Sequence, residues 1–172
     1  MNKKKLKKSF CVCIWLCILV FQFSGNENNA DNKSLSQRLI FINAALQYLG
    51  TPYKYAGCSE EGMDCSGLIY KTALDTLNLA LPRSARELGE FVEKIDDEEV
   101  QPGDLLFFNT TGRISHVGIY LGSGNFVHSS SDDAVTGVVI TSLTNVYWKK
   151  CYRFAGRILE PEDIFLNPIA AR

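Results

Sequence analysis

Apolar residues recur with a helical period in the first part of the chain and with a strand-like period in the second. Leu35, Leu39, Ile42, Leu46 and Leu49 follow helical spacing. A helix is expected to begin at Ser34, whose hydroxyl can cap it, with Gln37 in the capping-box position and Gly50 and Pro52 closing the segment. Tyr53 to Asp64, with Gly57, Ser59 and Gly62, has the composition of a loop. A second helix is expected near Cys65, with Leu68, Ile69, Ala73 and Leu77 as its apolar side. Leu81-Pro82-Arg83-Ser84 precedes a short helical piece, roughly Ser84 to Phe91, and an acidic connector, Asp96 to Glu99. Pro102-Gly103-Asp104 signals a turn, and beyond it the pattern is one of strands. These are Leu105–Asn109, Ser115–Leu121, Asn125–Ser129, Val138–Thr141 and about Tyr152 to Leu159, the last following Tyr147-Trp148-Lys149-Lys150. Helices first and antiparallel strands afterwards predict an α+β domain, not a βαβ arrangement. There is no internal repeat.

The start of the chain follows a different logic. Lys3, Lys4, Lys5, Lys7 and Lys8 lead into an uncharged apolar run from Phe10 to Phe21, followed by Ser24-Gly25. A bilayer span takes roughly 20 apolar residues, so this run is short, and it matches the n- and h-regions of a secretory signal peptide. Residues 1–25 are therefore expected to be a signal peptide, with a short uncleaved anchor as the alternative. Attachment of lipid through Cys17 is disfavoured by bulky Leu16 before it and by the apolar run beyond it. Residues 26–33 form a polar linker, and 34–172 one domain, an expectation that a chain of 172 residues allows. Export to the periplasm or cell envelope follows, with secretion as the alternative. A net charge of −1 gives no cationic surface for nucleic acid, and the only membrane contact foreseen is through the leader. A monomer is expected.

Removal of the leader takes Cys11, Cys13 and Cys17 and leaves Cys58, Cys65 and Cys151. An odd number leaves at least one thiol unpaired. Cys58 and Cys151 could pair, but sequence does not bring their Cα atoms together.

Among these cysteines, Cys65 sits where chemistry is easiest. In Asp64-Cys65-Ser66-Gly67-Leu68 it stands at a loop-to-helix junction, where unpaired amides and the helix dipole favour a thiolate and could face an oxyanion. The chain has just two histidines, His116 and His128, both in the strand-rich half. A thiol nucleophile needs a base, and the base needs a group that orients its ring; His116 fits the first post and His128 the second. His116, Gly118 and Tyr120 share one face of their strand, as Phe126 and His128 do on the next. Direct cross-strand pairing of the rings requires a hairpin centred on Gly122, with an odd loop. On that expectation the Cys65 helix packs on the histidine face, where Gly118 leaves room. Each histidine also fits an ordinary core or surface role. Zinc held by the cysteine and histidines is disfavoured because no close-spaced ligand pair such as C-x-x-C is present. Asp64, Asp104 and Asn125 fit caps or turns, and Tyr53 fits either packing or donation of its phenol to an oxyanion.

These residues together resemble the NlpC family of papain-like cell-wall cysteine peptidases, most closely its small Spr-type murein endopeptidases. The likeness runs from about Leu46 to Leu159. It is carried by Gly50-Thr-Pro-Tyr-Lys-Tyr, Asp64-Cys-Ser-Gly-Leu, Leu81-Pro-Arg-Ser, Pro102-Gly-Asp-Leu-Leu-Phe-Phe, Ser115-His-Val-Gly-Ile-Tyr-Leu-Gly, Phe126-Val-His-Ser and Tyr147-Trp-Lys-Lys. The resemblance implies a papain-like fold with a nucleophile-bearing helix packed on an antiparallel β-sheet. It implies Cys65 as nucleophile, His116 as base and His128 as orienting residue. It further implies Tyr53 at the oxyanion site, and Asp64 and Ser66 bordering the substrate cleft. The implied partners are peptidoglycan stem peptides containing D-amino acids. The cross-link between D-alanine and diaminopimelate is the favoured cut, and the bond between D-glutamate and diaminopimelate is next. No metal or organic cofactor is implied. An acyltransferase or amidase on the same scaffold, or a wall-binding module without turnover, is the alternative.

Overall fold

The computed structural model describes residues 32–132 and 135–158. The expected leader and nearly all of the linker lie outside the described residues. The chain divides into two units, 1–36 and 37–172. Of the first, residues 32–36 are helical, so Ser34 lies within helical chain and does not cap it. All that follows concerns the second unit. Among the described residues no helix is long and apolar enough to cross a membrane.

Residues 37–47 form helix α1. Its buried stripe is Phe41, Ile42 and Ala45, continued by Tyr48, whereas Leu39 and Leu49 are exposed. The leucine pattern thus marks the correct period but a rotated face, since bulkier Phe41 and Tyr48 take the core positions. The segment expected to be a loop contains a two-residue hairpin, β1 (Cys58–Ser59) and β2 (Gly62–Met63).

Helix α2 (Cys65–Leu77) starts where the sequence places it, with Asp64 as its N-cap. Leu68, Ile69, Thr72 and Ala73 are its buried face, and it ends at left-handed Asn78. Helix α3 (Ala85–Phe91) is capped by Ser84, whose hydroxyl accepts from the Glu87 amide at 3.2 Å. A short edge strand, β3 (Glu93–Ile95), and a single 3-10 turn, Asp97–Glu99, lead into β4 (Leu105–Asn109). Strands β5 (Ile114–Gly122), β6 (Asn125–Asp132) and β7 (Val135–Ser142) follow as a meander. Helix α4 (Val146–Cys151) and strand β8 (Tyr152–Arg157) complete the described chain. Six strands form one antiparallel sheet in the order β3-β8-β4-β5-β6-β7. The architecture is α+β.

Alternation along β4, β5 and β6 sorts the side chains between the two faces of the sheet. Leu105, Phe107, Val117, Ile119 and Val127 join Leu68 and Ile69 of α2 in the main core. Leu106, Phe108, Phe126 and Ala155 form a second layer under Trp148 and Cys151 of α4. Removing each such side chain from water contributes roughly 1.5–3 kcal/mol, so both faces must be covered, and α4 covers the second. The expectation that α2 packs on the histidine face is therefore corrected. It packs on the Val117–Ile119 face, whose side chains join Leu68 and Ile69 in one core, while the histidine face is covered by Trp148.

The hairpin joining β5 to β6 also differs from its expected register. Ile119 pairs with Val127, Tyr120 with Phe126, and Gly122 with Asn125, which leaves Leu121 as a bulge. Ser123 and Gly124 make a two-residue turn with φ of 51° and 73°, the mirror-type turn that suits strand twist. Continuing the register sets His128 opposite Gly118, with His116 two residues away on the same face. The bulge restores the facing that an even loop alone would have lost.

At the start of β4, Asp104 is buried and fully engaged. Its carboxylate accepts from Arg157 through two nitrogens at 2.9 Å, from Arg38 at 2.8 Å and from the Gln101 amide at 2.8 Å. Burial would push this carboxyl up, but Arg157, the Gln101 amide and Arg38 together hold it below its ordinary value. The turn reading of Asp104 holds, and its ion pairs tie α1 and β8 to the sheet.

Candidate active site

Cys65 owes its position to its neighbours on either side. Asp64 Oδ1 accepts from the Gly67 amide at 2.6 Å and from the Ser66 hydroxyl at 2.9 Å, and Oδ2 accepts from the Ala56 amide at 2.9 Å. Arg83 reaches Asp64 at 3.4 Å and Ser66 at 3.2 Å, and donates to the carbonyls of Ala56 and Gly57 at 3.2 Å. One guanidinium thus ties the preceding loop to the first turn of α2. Gly67 is required here, because a Cβ would lie 2.0 Å from the Gly57 carbonyl oxygen. Ser66 is 3% exposed, and its hydroxyl also lies 2.7 Å from the Arg83 carbonyl. Asp64 and Ser66 are therefore held by internal partners directly beside Cys65.

Burial pushes the Cys65 thiol up to about 11. The Val117 amide and those of Ser66 and Cys65 itself favour the thiolate, while the Asp64 carboxylate opposes it. The amides at the helix start thus favour the thiolate, as expected there, while burial works against it. Burial likewise pushes the Tyr53 phenol up, reinforced by Cys65 and Asp64. Tyr53 stands beside β2 through a bridge to Met63. Ser129 of β6 holds the Met63 carbonyl at 2.6 Å.

The two imidazoles meet on the face of the sheet that Trp148 covers. His116 Nε2 and His128 Nδ1 are 2.9 Å apart, with ring planes at 84°. His128 Nε2 lies 2.9 Å from Thr141 Oγ1. Trp148 covers both rings, with centroids 4.8 Å from His116 and 4.7 Å from His128, and Phe126 stacks on His128 at 4.7 Å. Burial lowers His128 to about 4. Burial, with a smaller contribution from His128, holds His116 well below 6.5. His116 Nδ1 makes no hydrogen bond among the described residues. The ring opens onto a cleft of about 310 Å³ lined by Thr110, Ser130, Ser131, Tyr147 and Trp148. The amide bonded to the Cys65 sulfur belongs to Val117, the residue after His116 on β5.

Tyr53, Asp64, Cys65 and Ser66 thus lie together at the start of α2, and His116 with His128 lie together on β5 and β6. The three thiols, Cys58, Cys65 and Cys151, are all free. Arg83, Thr141 and Trp148 were not singled out as site residues. Arg83 and Trp148 fall in sequence blocks already marked by their motifs, whereas Thr141 carried no signal beyond strand propensity. Among the described residues no cluster of three His, Cys, Asp or Glu side chains could hold a metal ion.

Comparison with known proteins adds a finding about descent. The family model described as NlpC/P60 family matches residues 50–157. The chain is 38% identical over 155 residues to the probable endopeptidase NlpC of Escherichia coli (strain K12), covering 87% of this chain and 99% of that protein. It is 35% identical over 133 residues to the murein DD-endopeptidase MepS/murein LD-carboxypeptidase of the same strain, covering 77% of this chain and 68% of the relative. Among solved structures, an NlpC/P60 family protein from Bacillus cereus ATCC 10987 aligns with a TM-score of 0.65 at 32% identity. That alignment covers 70% of this chain and 39% of the other, so this chain spans about two fifths of that structure.

Proposed function

The chain belongs to the NlpC/P60 family, and we propose from that membership that it is a cysteine peptidase hydrolysing amide bonds of peptidoglycan. The observation that carries the reading is the 2.9 Å contact between His116 Nε2 and His128 Nδ1, which anchors the His116 ring through one nitrogen. A base with one nitrogen anchored and the other free is what a protonated thiol requires.

In this mechanism Cys65 gives its proton to His116 Nδ1 as its sulfur attacks the amide carbonyl. His128 holds the His116 ring and steadies the imidazolium that forms. The oxyanion is met by amides at the start of α2 and by the Tyr53 phenol, which stays protonated at neutral pH because burial pushes it up. His116 then returns its proton to the leaving amine, a thioester remains on Cys65, and water releases the acid. Asp64 and Ser66 position this machinery, as their internal hydrogen bonds suggest. The substrates are stem peptides with D-amino acids, met in the periplasm or cell envelope after export. The name of the MepS relative, a murein DD-endopeptidase, favours the cross-link between D-alanine and diaminopimelate; the bond between D-glutamate and diaminopimelate is next.

Digestion of defined muropeptides, cross-linked and uncross-linked, with mass spectrometry of the products tests the reading. Conversion of the cross-linked dimer to monomers with uptake of water is expected. Shortened uncross-linked stems would move the cut to the second bond, and failure to cut either substrate would overturn the proposal.

A further inference from the structure

Among the described residues neither ring of the histidine pair is oriented by a carboxylate; the chain of hydrogen bonds that begins at His116 ends on a hydroxyl. We propose that Thr141 is a positioning residue, whose Oγ1 accepts a hydrogen bond from His128 Nε2 and so directs both imidazoles. The proposal rests on the Cys65–His116–His128 reading and deepens it.

A neutral imidazole carries one N–H and one lone pair, so the 2.9 Å contact between the rings can run in either direction. If His116 Nε2 donates to His128 Nδ1, His116 Nδ1 is bare and can take the thiol proton. The proton of His128 then sits on Nε2 and points at Thr141 Oγ1, 2.9 Å away. If the direction is reversed, His116 carries its proton on Nδ1 and cannot serve as base. Once His116 is protonated, both its nitrogens are donors and only the first direction survives. The Thr141 oxygen is therefore needed most in the state that catalysis must reach.

The surroundings make this demand specific. His128 is 1% exposed, stacked on Phe126 and edged by Trp148. An Nε2–H facing a methyl group there would be a buried donor without an acceptor. Strand pairing sets Thr141 opposite Phe126 and Val139 opposite His128, so Thr141 lies diagonal to His128 on the same face of the sheet. Tyr147 of α4 lines the same cleft as His116, and among the described residues the charge that acts on His116 is that of His128. A hydroxyl in the terminal place orients His128 without adding negative charge.

Thr141→Val keeps the shape and removes the oxygen, and Thr141→Ser returns it. In tag-free protein every imidazole signal belongs to His116 or His128, because the chain has just two histidines. NMR of isotope-labelled histidine is expected to find the His128 proton on Nε2 in the unaltered protein. In Thr141→Val, kcat is expected to fall about tenfold or more with KM nearly unchanged. Its acid limb should move to lower pH, because the protonated pair has lost an acceptor. Thr141→Ser should restore both. A His128 proton on Nδ1 in the unaltered protein overturns the proposal, as does a valine variant with full kcat and an unmoved pH profile. Cys65→Ala run in parallel separates the two levels. Turnover retained there sinks the catalytic reading, while the NMR result still decides how Thr141 directs His128.

Discussion

Replacing Asp64 by alanine removes an acceptor that serves the first turn of α2, the preceding loop and Arg83 at once. The largest loss is the N-cap, since the Gly67 amide at 2.6 Å becomes a buried donor without a partner; such caps contribute about 0.5–2 kcal/mol. The Ala56 amide is exposed and finds water. The Arg83 pair, at 3.4 Å and partly open to solvent, contributes no more than about 1 kcal/mol after screening. Asp64→Ala should therefore cost about 2 kcal/mol, a fall in Tm on the order of 5–10 °C. Asp64→Asn keeps the capping oxygen and should melt close to the unaltered protein, because asparagine and aspartate cap equally well. It removes a charge that holds the Cys65 thiol up, so its thiol should titrate below about 11. Thermal melts give the first comparison. The rate of iodoacetamide alkylation against pH, read at Cys65 by peptide mapping, gives the second. An alanine variant as stable as the parent, or an asparagine variant as unstable as alanine, would refute the cap. An unchanged or slower alkylation in Asp64→Asn would refute the charge argument.

Two further outcomes follow from the histidine pair and its packing. Since burial holds His116 well below 6.5 and His128 near 4, the acid limb of kcat/KM should lie below pH 6.5, where the base finally takes a proton. Stability should fall over the same window, from pH 6.5 down toward 4, because the unfolded chain binds protons that the folded rings refuse. An acid limb at or above pH 6.5 would contradict the buried, neutral pair. In Gly118→Ala the new Cβ would lie 2.6 Å from Phe126 and 3.2 Å from His128 Cβ, an overpacking that costs about 1–3 kcal/mol and shifts His128. A variant with unchanged melting and turnover would mean that His128 is not seated opposite Gly118.

Most elements were legible in the sequence because their residues speak locally. The Asp64 cap, the apolar side of α2 and the alternation along β4 to β6 all depend on near neighbours, and each is found within a few residues of its expected place. How His116 and His128 each point on their own strands was readable from alternation alone. Their pairing was not, because it depends on a bulge at Leu121 that only the two-residue turn and strand twist decide. The face chosen by α2 was missed for a related reason. Both faces of the sheet are apolar, and the choice rests on which neighbour supplies aromatic cover, here Trp148 from a helix whose aromatic and β-branched sequence conceals it. Strand β3 has too few buried positions to show a pattern. Thr141 belongs to the site through strand pairing across β6 and β7, a long-range relation that no local motif reports.

The central claim is that one sulfur, at the start of α2, carries the chemistry. Its most direct test is the time course of a defined cross-linked muropeptide dimer with the unaltered chain and with Cys65→Ala, both shown to be folded by circular dichroism. Release of monomers by the first and none by the second is the predicted result. Monomers released by folded Cys65→Ala at a comparable rate would contradict the account.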